Sequence, residues 1–425
     1  MNFIIRSAVY LLIFKIILTS FVFAQINERY ILNSLFQIAA EIKNEYYLDV
    51  DDSVLFSGAV LEMNRLKNIK SGEKSIYSKQ QFSSYFYLLC KQYPNDKALI
   101  GEYAVRGMIK SLNDPYALFF DSTQWDYYKK VSSGAEFAGI GVELAVKDRC
   151  FVVIASIDGS PAEKSGILPG DIIVAIDSKN ISQMDTTDAL NLFDGQENSK
   201  IKLTVKRNGT FLNFDITRKF ISLPAPKASL LKLRNQNTGY IKIYYFGDKT
   251  DSQVKEFLDT FKTKGIKNVI IDLRDNPGGD FKASLRLSSF FTGENALVKI
   301  QKKGRPLETV YGTENADYDF NLAILINKGS ASASEVFASA LHDNKKCVLV
   351  GTGSFGKALI QSVYSLPGNA GCKITTAKYY TTSGKDILNK GLSPDITVNT
   401  VYPLLPPASD PVVLRVIREF TNYRI

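Results

Sequence analysis

The spacing of hydrophobic positions changes twice after residue 25. From 25 to 134, apolar side chains recur at three- and four-residue intervals, which predicts amphipathic helices. The clearest positions are Ile31, Leu35, Ile38, Ala39 and Ile42. A second helical run covers 99–112 and ends before Pro115, because the residue preceding a proline disfavours helix. We therefore expect an N-terminal helical region.

Between residues 137 and 220 the pattern becomes that of short strands separated by turn residues. Strands are predicted at 151–154, 172–176, 201–205 and 212–216. The last two flank Asn208-Gly209, which is the strongest short signal for a β-hairpin. The segment 135–221 is therefore predicted to be a compact, mainly β domain.

After a linker at Pro224-Ala225-Pro226, strands alternate with helices. Strands are predicted at 239–243, 269–273, 322–326 and 347–350, and helices at 252–262, 333–343 and 411–420. Continuous apolar strands indicate a sheet covered on both faces. The fold class is thus multi-domain α/β, with a core at 222–400 and a helical tail at 401–425.

The first 24 residues have the pattern of a signal peptide. Arg6 precedes an apolar stretch at 8–23 that only Lys15 interrupts, and Val22-Phe23-Ala24 offers a cleavage site after Ala24. An uncleaved membrane anchor is the alternative. Export would place the four cysteines in an oxidising compartment, where Cys347 and Cys372 could pair.

Composition narrows the function classes. The chain has 425 residues, 45% of them apolar, which is enough for several domains with their own cores. Its net charge of +9 comes from lysines and arginines that are interleaved with acids, so nucleic-acid binding is not predicted. The only histidine is His342, which argues against a zinc enzyme because such sites use several His or Cys ligands.

Ser332 opens a predicted helix directly after the buried strand 322–326 and a turn containing Gly329. A helix N-terminus offers unpaired N–H groups and a positive dipole end, which suit a nucleophile that passes through an oxyanion. The alternative is plain helix capping, since Ser332 and Glu335 have the spacing of a capping box. This segment alone leaves both interpretations open.

Lys357 is a candidate base for such a serine. His342 lies ten residues after Ser332 on the same predicted helix, which is about 15 Å along the axis and too far for a hydrogen bond. Lys357 ends the glycine-rich segment 351–357, and Ala358 follows it where a Walker A loop needs Ser or Thr. A desolvated lysine can act as a general base.

A third segment, 272–279, follows the buried strand 269–273 and ends in Gly278 and Gly279. Adjacent glycines can expose a backbone N–H toward a ligand. A plain strand-to-helix turn is the alternative interpretation.

In this order, the three segments resemble the motifs of the carboxyl-terminal processing peptidases, also called tail-specific proteases. The matching residues are 330–335, Phe355-Gly356-Lys357 with Gln361, and 272–279, together with Asp114-Pro115-Tyr116, 376–380 and 393–396. The resemblance covers nearly the whole chain after residue 24. Each motif is weak alone, but their combination is specific.

The resemblance implies a role for each of these residues. Ser332 would be the nucleophile, Lys357 its general base, and Gln361 would hold the lysine. The backbone N–H groups of Gly278 and Ala333 would form the oxyanion hole, with Gly279 as the second choice for Gly278. The implied core is of the ClpP/crotonase type, with no metal and no cofactor.

The resemblance also implies a PDZ domain over 137–220, with Gly139, Ile140, Gly141 and Val142 as its carboxylate-binding loop. The expected protein is an exported endopeptidase of the bacterial periplasm or cell envelope. It would act on polypeptides with free C-termini, and it would form a homodimer.

Two positions depart from the family pattern. Ala358 stands where a glycine is usual, and the segment 193–197 lacks the usual Arg-Gly-Pro, with Asp194 in place of the arginine. Two other functions remain open. One is a catalytically silent PDZ adaptor on a protease scaffold, and the other is a hydratase-like enzyme of the same core fold that acts on thioesters.

Overall fold

The computed structural model describes residues 27–69, 76–132, 137–147, 150–182, 184, 186–193, 195–233 and 236–421. They form two compact units, one of 27–132 with 360–377 and one of 137–359 with 378–421. The predicted signal peptide at 1–24 and Asp194 lie outside the described residues. Within the described ranges, no helix combines the length and apolar character needed to cross a membrane.

Helices and strands are numbered separately in chain order. The helices are α1 (Glu28–Glu45), α2 (Asp52–Leu66), α3 (Lys79–Gln92), α4 (Lys97–Ser111), α5 (Ser122–Ser132), α6 (Pro161–Lys164), α7 (Thr186–Asn191), α8 (Thr250–Thr263), α9 (Phe281–Thr292), α10 (Ala333–Asp343) and α11 (Pro411–Thr421). The strands are β1 (Leu118–Phe120), β2 (Phe137–Gly139), β3 (Val142–Lys147), β4 (Cys150–Ser156), β5 (Ile172–Ile176), β6 (Lys179–Asn180), β7 (Lys200–Arg207), β8 (Thr210–Thr217), β9 (Lys219–Ile221), β10 (Lys227–Leu233), β11 (Gln236–Lys242), β12 (Asn268–Asp272), β13 (Ala296–Gln301), β14 (Glu308–Tyr311), β15 (Asn321–Ile326), β16 (Val348–Gly351), β17 (Leu359–Leu366), β18 (Ala370–Tyr380) and β19 (Ile396–Thr397).

The first unit is mainly helical, as the spacing of apolar residues predicts. Its core includes Phe56 and Phe82, whose rings stack with centroids 4.9 Å apart. Helices α2 and α4 pack closely because both carry glycine at the crossing. A Cβ atom on Gly58 would lie 2.4 Å from the Gly107 carbonyl oxygen. Strand β18 pairs with β1 at residues 371–373 and completes this unit.

A small antiparallel sheet in the second unit confirms the predicted β-rich segment. Its strand order is β3-β4-β5-β7-β8, and β6 pairs with β5. The hairpin β7–β8 turns at Asn208 and Gly209, which both have positive φ (49° and 85°), as a two-residue hairpin turn requires. Among the described strands, β3 pairs only with β4, so one edge of this sheet is unpaired.

A second sheet in the same unit has the order β10-β11-β12-β15-β16-β19. The strands from β11 to β19 are parallel, and β10 joins the edge antiparallel to β11. Ile270, Leu325 and Val350 pack against α11 in one buried cluster. Because neighbouring parallel strands end at the same edge, the segments that follow β12, β15 and β16 meet there.

The four cysteines are free thiols in the structure, so the pairing of Cys347 with Cys372 that the sequence leaves open is not formed. Burial raises the pKa of Cys372 to about 12, which keeps this side chain protonated.

Candidate active site

Hydrogen bonds join the three candidate segments at the carboxyl edge of the parallel sheet. The Ala331 N–H donates to the Asn276 carbonyl oxygen at 3.0 Å, which links the segment after β15 to the segment after β12. The Phe355 N–H donates to the Ser330 carbonyl oxygen at 2.9 Å, which adds the segment after β16. Motifs joined by contacts between residues 55 and 25 positions apart in sequence therefore form one site.

The three serines of 330–334 have different surroundings. The Ser330 hydroxyl donates to the Leu273 carbonyl oxygen at 2.8 Å, and the Ser334 hydroxyl donates to that of Asn276 at 2.9 Å. Both serines are fully buried, whereas Ser332 between them is half-buried. The outer serines hold the neighbouring segment, and Ser332 is the one that solvent reaches.

Ser332 has a strained backbone, with φ of 55° and ψ of −117°. This left-handed conformation costs a non-glycine residue on the order of 1–3 kcal/mol, so the surroundings must hold it. The Ser332 N–H donates to Glu335 Oε2 at 3.0 Å, and its carbonyl oxygen accepts from the Glu335 and Val336 N–H groups at 2.8 and 3.0 Å. Glu335 therefore caps α10 from its own side chain, and this role is compatible with a reactive Ser332.

Glu335 is the central acceptor of the site. Its carboxylate is fully buried. Its oxygens accept from the N–H groups of Ser332 (3.0 Å), Lys357 (2.9 Å) and Gly356 (2.7 Å) and from the Ser354 hydroxyl (2.5 Å). Burial raises the pKa of Glu335, although these four donors act in the opposite direction. One side chain thus fixes the backbone of both the candidate nucleophile and the candidate base.

Lys357 is half-buried and follows Gly356 in the segment between β16 and β17. Gly356 has φ of 89°, and a Cβ atom there would lie 2.8 Å from the Ile387 carbonyl oxygen, so this position requires glycine. The Lys357 carbonyl oxygen accepts from the Tyr379 hydroxyl at 2.7 Å. Ala358, which departs from the family pattern, is buried, and its carbonyl oxygen accepts from the Tyr379 N–H at 3.0 Å.

Gln361 lies on β17, within the first unit. Its Nε2 atom is 3.4 Å from Thr375 Oγ1 on β18. The role predicted for Gln361 toward the lysine stays a prediction.

Gly278 and Ala333 lie beside Ser332. A Cβ atom on Gly278 would be 2.8 Å from Ser332 Cβ and 3.0 Å from the Ala333 nitrogen, so the close approach depends on glycine. Ala333 is the first residue of α10, where N–H groups lack intrahelical acceptors. The Gly278 N–H donates to Asn276 Oδ1 at 2.9 Å, whereas Gly279 is exposed. Both glycines therefore remain candidates for the second donor.

A buried ion cluster supports the segment that carries these glycines. Arg274 pairs with Asp272 at 2.6 Å and with Asp410 at 2.9 Å, and all three side chains are buried. Lys242 lies 3.3 Å from the same Asp272 carboxylate, which also accepts from the Tyr240 hydroxyl. Although burial opposes it, Arg274 and Lys242 hold the pKa of Asp272 well below its usual range.

His342 is near the C-terminal end of α10, and Ser332 precedes the N-terminal end, as the sequence predicts. The His342 Nε2 atom lies 3.0 Å from Asp395 Oδ1. This histidine therefore has an acidic partner away from the serine.

The predicted carboxylate-binding loop links β2 to β3. The Ile140 carbonyl oxygen accepts from the Ala162 N–H at 2.9 Å, and the Gly141 carbonyl oxygen accepts from the Ile157 N–H at 2.8 Å. In a trans peptide the C=O and the following N–H point in opposite directions. These inward carbonyls therefore direct the N–H groups of Gly141 and Val142 away from the domain interior.

Arg218 is a residue that the sequence analysis missed. Its guanidinium donates to the carbonyl oxygens of Leu192, Phe193 and Lys200 at 2.8–3.1 Å, and so holds the chain that follows α7. No motif surrounds Arg218, and only the folded domain brings it to this turn.

Comparisons with known proteins agree with this architecture. Residues 237–398 match peptidase family S41, and residues 152–207 match a PDZ domain. The carboxy-terminal processing protease CtpA of Bacillus subtilis is 32% identical over 319 residues, which are 75% of this chain and 66% of that protein. The carboxy-terminal-processing protease of Bartonella bacilliformis is 32% identical over 363 residues, which are 82% of either chain.

The solved structure of a photosystem II D1 C-terminal processing protease has a TM-score of 0.72 and 25% identity, and the match covers 91% of this chain and 97% of that one. The family and the fold class predicted from the sequence are confirmed. The chain belongs to peptidase family S41, among the carboxy-terminal processing proteases, and combines that protease fold with a PDZ domain and an N-terminal helical region.

Proposed function

We propose that this protein is an exported serine endopeptidase that cleaves polypeptides near their C-termini with a Ser332–Lys357 dyad. The observation that carries the proposal is that one side chain, Glu335, holds the backbone of both residues. The buried Glu335 carboxylate accepts the backbone N–H groups of Ser332 and Lys357. Ser332 and Lys357 are themselves half-buried. A pair held this way is suited to act as nucleophile and base.

In the proposed reaction, neutral Lys357 takes the proton of the Ser332 hydroxyl as Oγ attacks the scissile carbonyl carbon. The resulting tetrahedral oxyanion collapses, the peptide C–N bond breaks, and the lysine returns the proton to the leaving amine. In the second half of the reaction, Lys357 takes a proton from water as the water oxygen attacks the acyl carbon. The bond from that carbon to Ser332 Oγ then breaks, and the lysine returns the proton to Oγ. Gln361 is proposed to hold the lysine during these transfers.

The oxyanion is proposed to be bound by the Ala333 N–H and by one N–H from Gly278 or Gly279. The position of Ala333 at the first turn of α10 supports its part, because helix N-termini stabilise negative charge. Gly278 can serve only if its N–H leaves or shares the Asn276 Oδ1 acceptor. If the exposed Gly279 is the second donor, the hydrogen bond between the Gly278 N–H and Asn276 can stay as it is.

The PDZ domain is proposed to capture the substrate tail. An extended peptide binds such a domain as an added strand, with backbone N–H groups around its terminal carboxylate. The unpaired edge of β3 and the outward N–H groups of Gly141 and Val142 support this proposal. We expect peptides with a free C-terminus to be cleaved faster than the matched C-terminal amides.

The test measures kcat/KM for an unfolded protein and for a free-acid peptide, using the chain that begins at Gln25. Ser332→Ala and Lys357→Ala should each abolish cleavage, because the two groups act as a unit. Lys328→Ala is the matched control, since Lys328 is exposed and lies four residues before Ser332. Circular dichroism verifies that each variant is folded.

Each alternative function has its own outcome. A folded native chain that binds the peptide but produces no fragments would support a silent PDZ adaptor. Thioester turnover without peptide cleavage would support a hydratase-like enzyme. Equal rates for the free-acid and amide peptides would refute tail capture but leave the dyad intact.

A further inference from the structure

The Tyr379 hydroxyl contacts the backbone of both proposed catalytic residues. It lies 2.7 Å from the Lys357 carbonyl oxygen and 3.2 Å from the Ser332 carbonyl oxygen. The side chain is almost fully buried, at 1% exposure, so the phenol cannot turn outward to water. A single hydroxyl therefore bridges two loops that follow different strands of the sheet.

The phenol is mounted on a rigid support. Tyr379 is the penultimate residue of β18, where it pairs with Ile300 of β13. Its backbone N–H donates to the carbonyl oxygen of Ala358, the neighbour of Lys357, at 3.0 Å. Both the main chain and the side chain of Tyr379 thus fix the position of the segment that carries the lysine.

Tyr379 acts on the opposite side of the peptide backbone from Glu335. Glu335 accepts the N–H groups of Ser332 and Lys357, and the single hydroxyl proton of Tyr379 is shared between their carbonyl oxygens, with the shorter contact to Lys357. Four contacts of opposite polarity therefore define the spacing of the two residues. Each of the two residues is therefore held at both its backbone N–H and its backbone carbonyl oxygen.

We propose that Tyr379 is a positioning residue for the catalytic pair, which keeps the backbone of Lys357 in register with that of Ser332. The inference rests on the proposed Ser–Lys function. Misplacement of reacting groups by about 1 Å can cost about 100-fold in rate. Loss of the Tyr379 hydroxyl should therefore lower kcat and leave KM nearly unchanged, because this hydroxyl contacts the backbone of the pair.

The experiment compares Tyr379→Phe with Tyr318→Phe in the chain from Gln25, which the predicted cleavage after Ala24 would leave. Tyr318 is the matched control, since it is also buried, at 3% exposure, and its hydroxyl donates to Asp259 at 2.6 Å. Either substitution removes one buried hydroxyl, but only Tyr379 touches the proposed pair. The measurements are kcat and KM for a free-acid peptide, the pH profile of kcat/KM, and the rate at which a fluorophosphonate labels Ser332.

We expect Tyr379→Phe to lower kcat about 10- to 100-fold, to slow labelling by a similar factor and to change the pH profile of kcat/KM. Tyr318→Phe should lower thermal stability but leave kcat within about threefold of the native value. The inference is overturned if the two variants lose kcat equally, or if the pH profile and labelling rate of Tyr379→Phe are native. Ser332→Ala tests the dyad separately from the role of Tyr379, because full activity of this variant would refute the dyad itself.

Discussion

Replacing Glu335 by glutamine tests whether one buried carboxylate organises the active site. The substitution keeps the size of the side chain but turns one acceptor oxygen into an NH₂ donor. Four donors surround this carboxylate in the native structure, two on either oxygen. In either orientation two of them face the NH₂ group, and of the four only the Ser354 hydroxyl can rotate to accept from it. If these are the N–H groups of Ser332 and Lys357, both catalytic segments are released together.

The magnitude follows from those two lost bonds. A buried donor left without an acceptor costs about 1–3 kcal/mol, so two of them cost about 2–6 kcal/mol. Removal of the buried charge offsets part of this loss. Because burial raises the folded-state pKa of Glu335, the native chain loses stability as the pH rises above about 4.3, the usual value for glutamate. The stability difference between native and Glu335→Gln proteins should therefore shrink as the pH increases.

The assay combines chemical denaturation from pH 4 to 8 with peptide cleavage at the pH of highest native activity. We expect kcat/KM to fall at least about 100-fold, because both catalytic segments lose an anchor. Glu62→Gln is the matched control, since Glu62 is 2% exposed and accepts from Lys110 at 2.8 Å in the helical unit. It should be destabilised while its activity per folded molecule stays native.

A Glu335→Gln protein that is folded and cleaves peptide at more than a third of the native rate would refute this reasoning. A stability difference that grows with pH would contradict the sign given for the Glu335 ionisation. Loss of activity in Glu62→Gln as well would indicate that general destabilisation, and not the site, determines the rate.

Three further substitutions probe the site. His342→Gln should keep kcat/KM within about threefold, because the histidine pairs with Asp395 at 3.0 Å; a large loss in the folded variant would contradict the lysine dyad. Gly278→Ala should lower kcat about 100-fold and destabilise the fold by about 1–3 kcal/mol, because its φ is 109° and its Cβ would meet Ser332; native kinetics would exclude a tight fit. Gln361→Ala should weaken cleavage less than Lys357→Ala does. An equal loss of activity would mean that Gln361 is as essential to the reaction as Lys357.

Local pattern was sufficient for most elements of this fold. The apolar run at 269–273 lies in and just after β12, and the hairpin at Asn208 turns as predicted, because period and turn chemistry are local properties. Ser332 and Lys357 could be named because they stand in recognisable segments at the ends of predicted strands. Their convergence then follows from the adjacency of parallel strands in one sheet.

Other features depend on contacts between distant residues and were not visible in sequence. The spacing of Glu335 suggested only a cap for α10, yet its carboxylate also accepts from the segment after β16. Tyr379 matched a family motif without a role, since its partners are 22 and 47 residues away. Arg274 and Asp410 form an ion pair over a separation of 136 residues, which no periodicity reports.

The backbone of Ser332 also bears on how this protein balances durability against reactivity. Its φ of 55° and ψ of −117° belong to a region that glycine enters freely. A glycine at this position would relieve the strain, at some cost in unfolded-chain entropy, and would remove the nucleophile altogether. Selection for stability alone would therefore favour glycine at position 332, and that protein would lack the proposed nucleophile. Attempts to make this protein more heat-resistant should accordingly be directed elsewhere, such as the exposed faces of the helical unit.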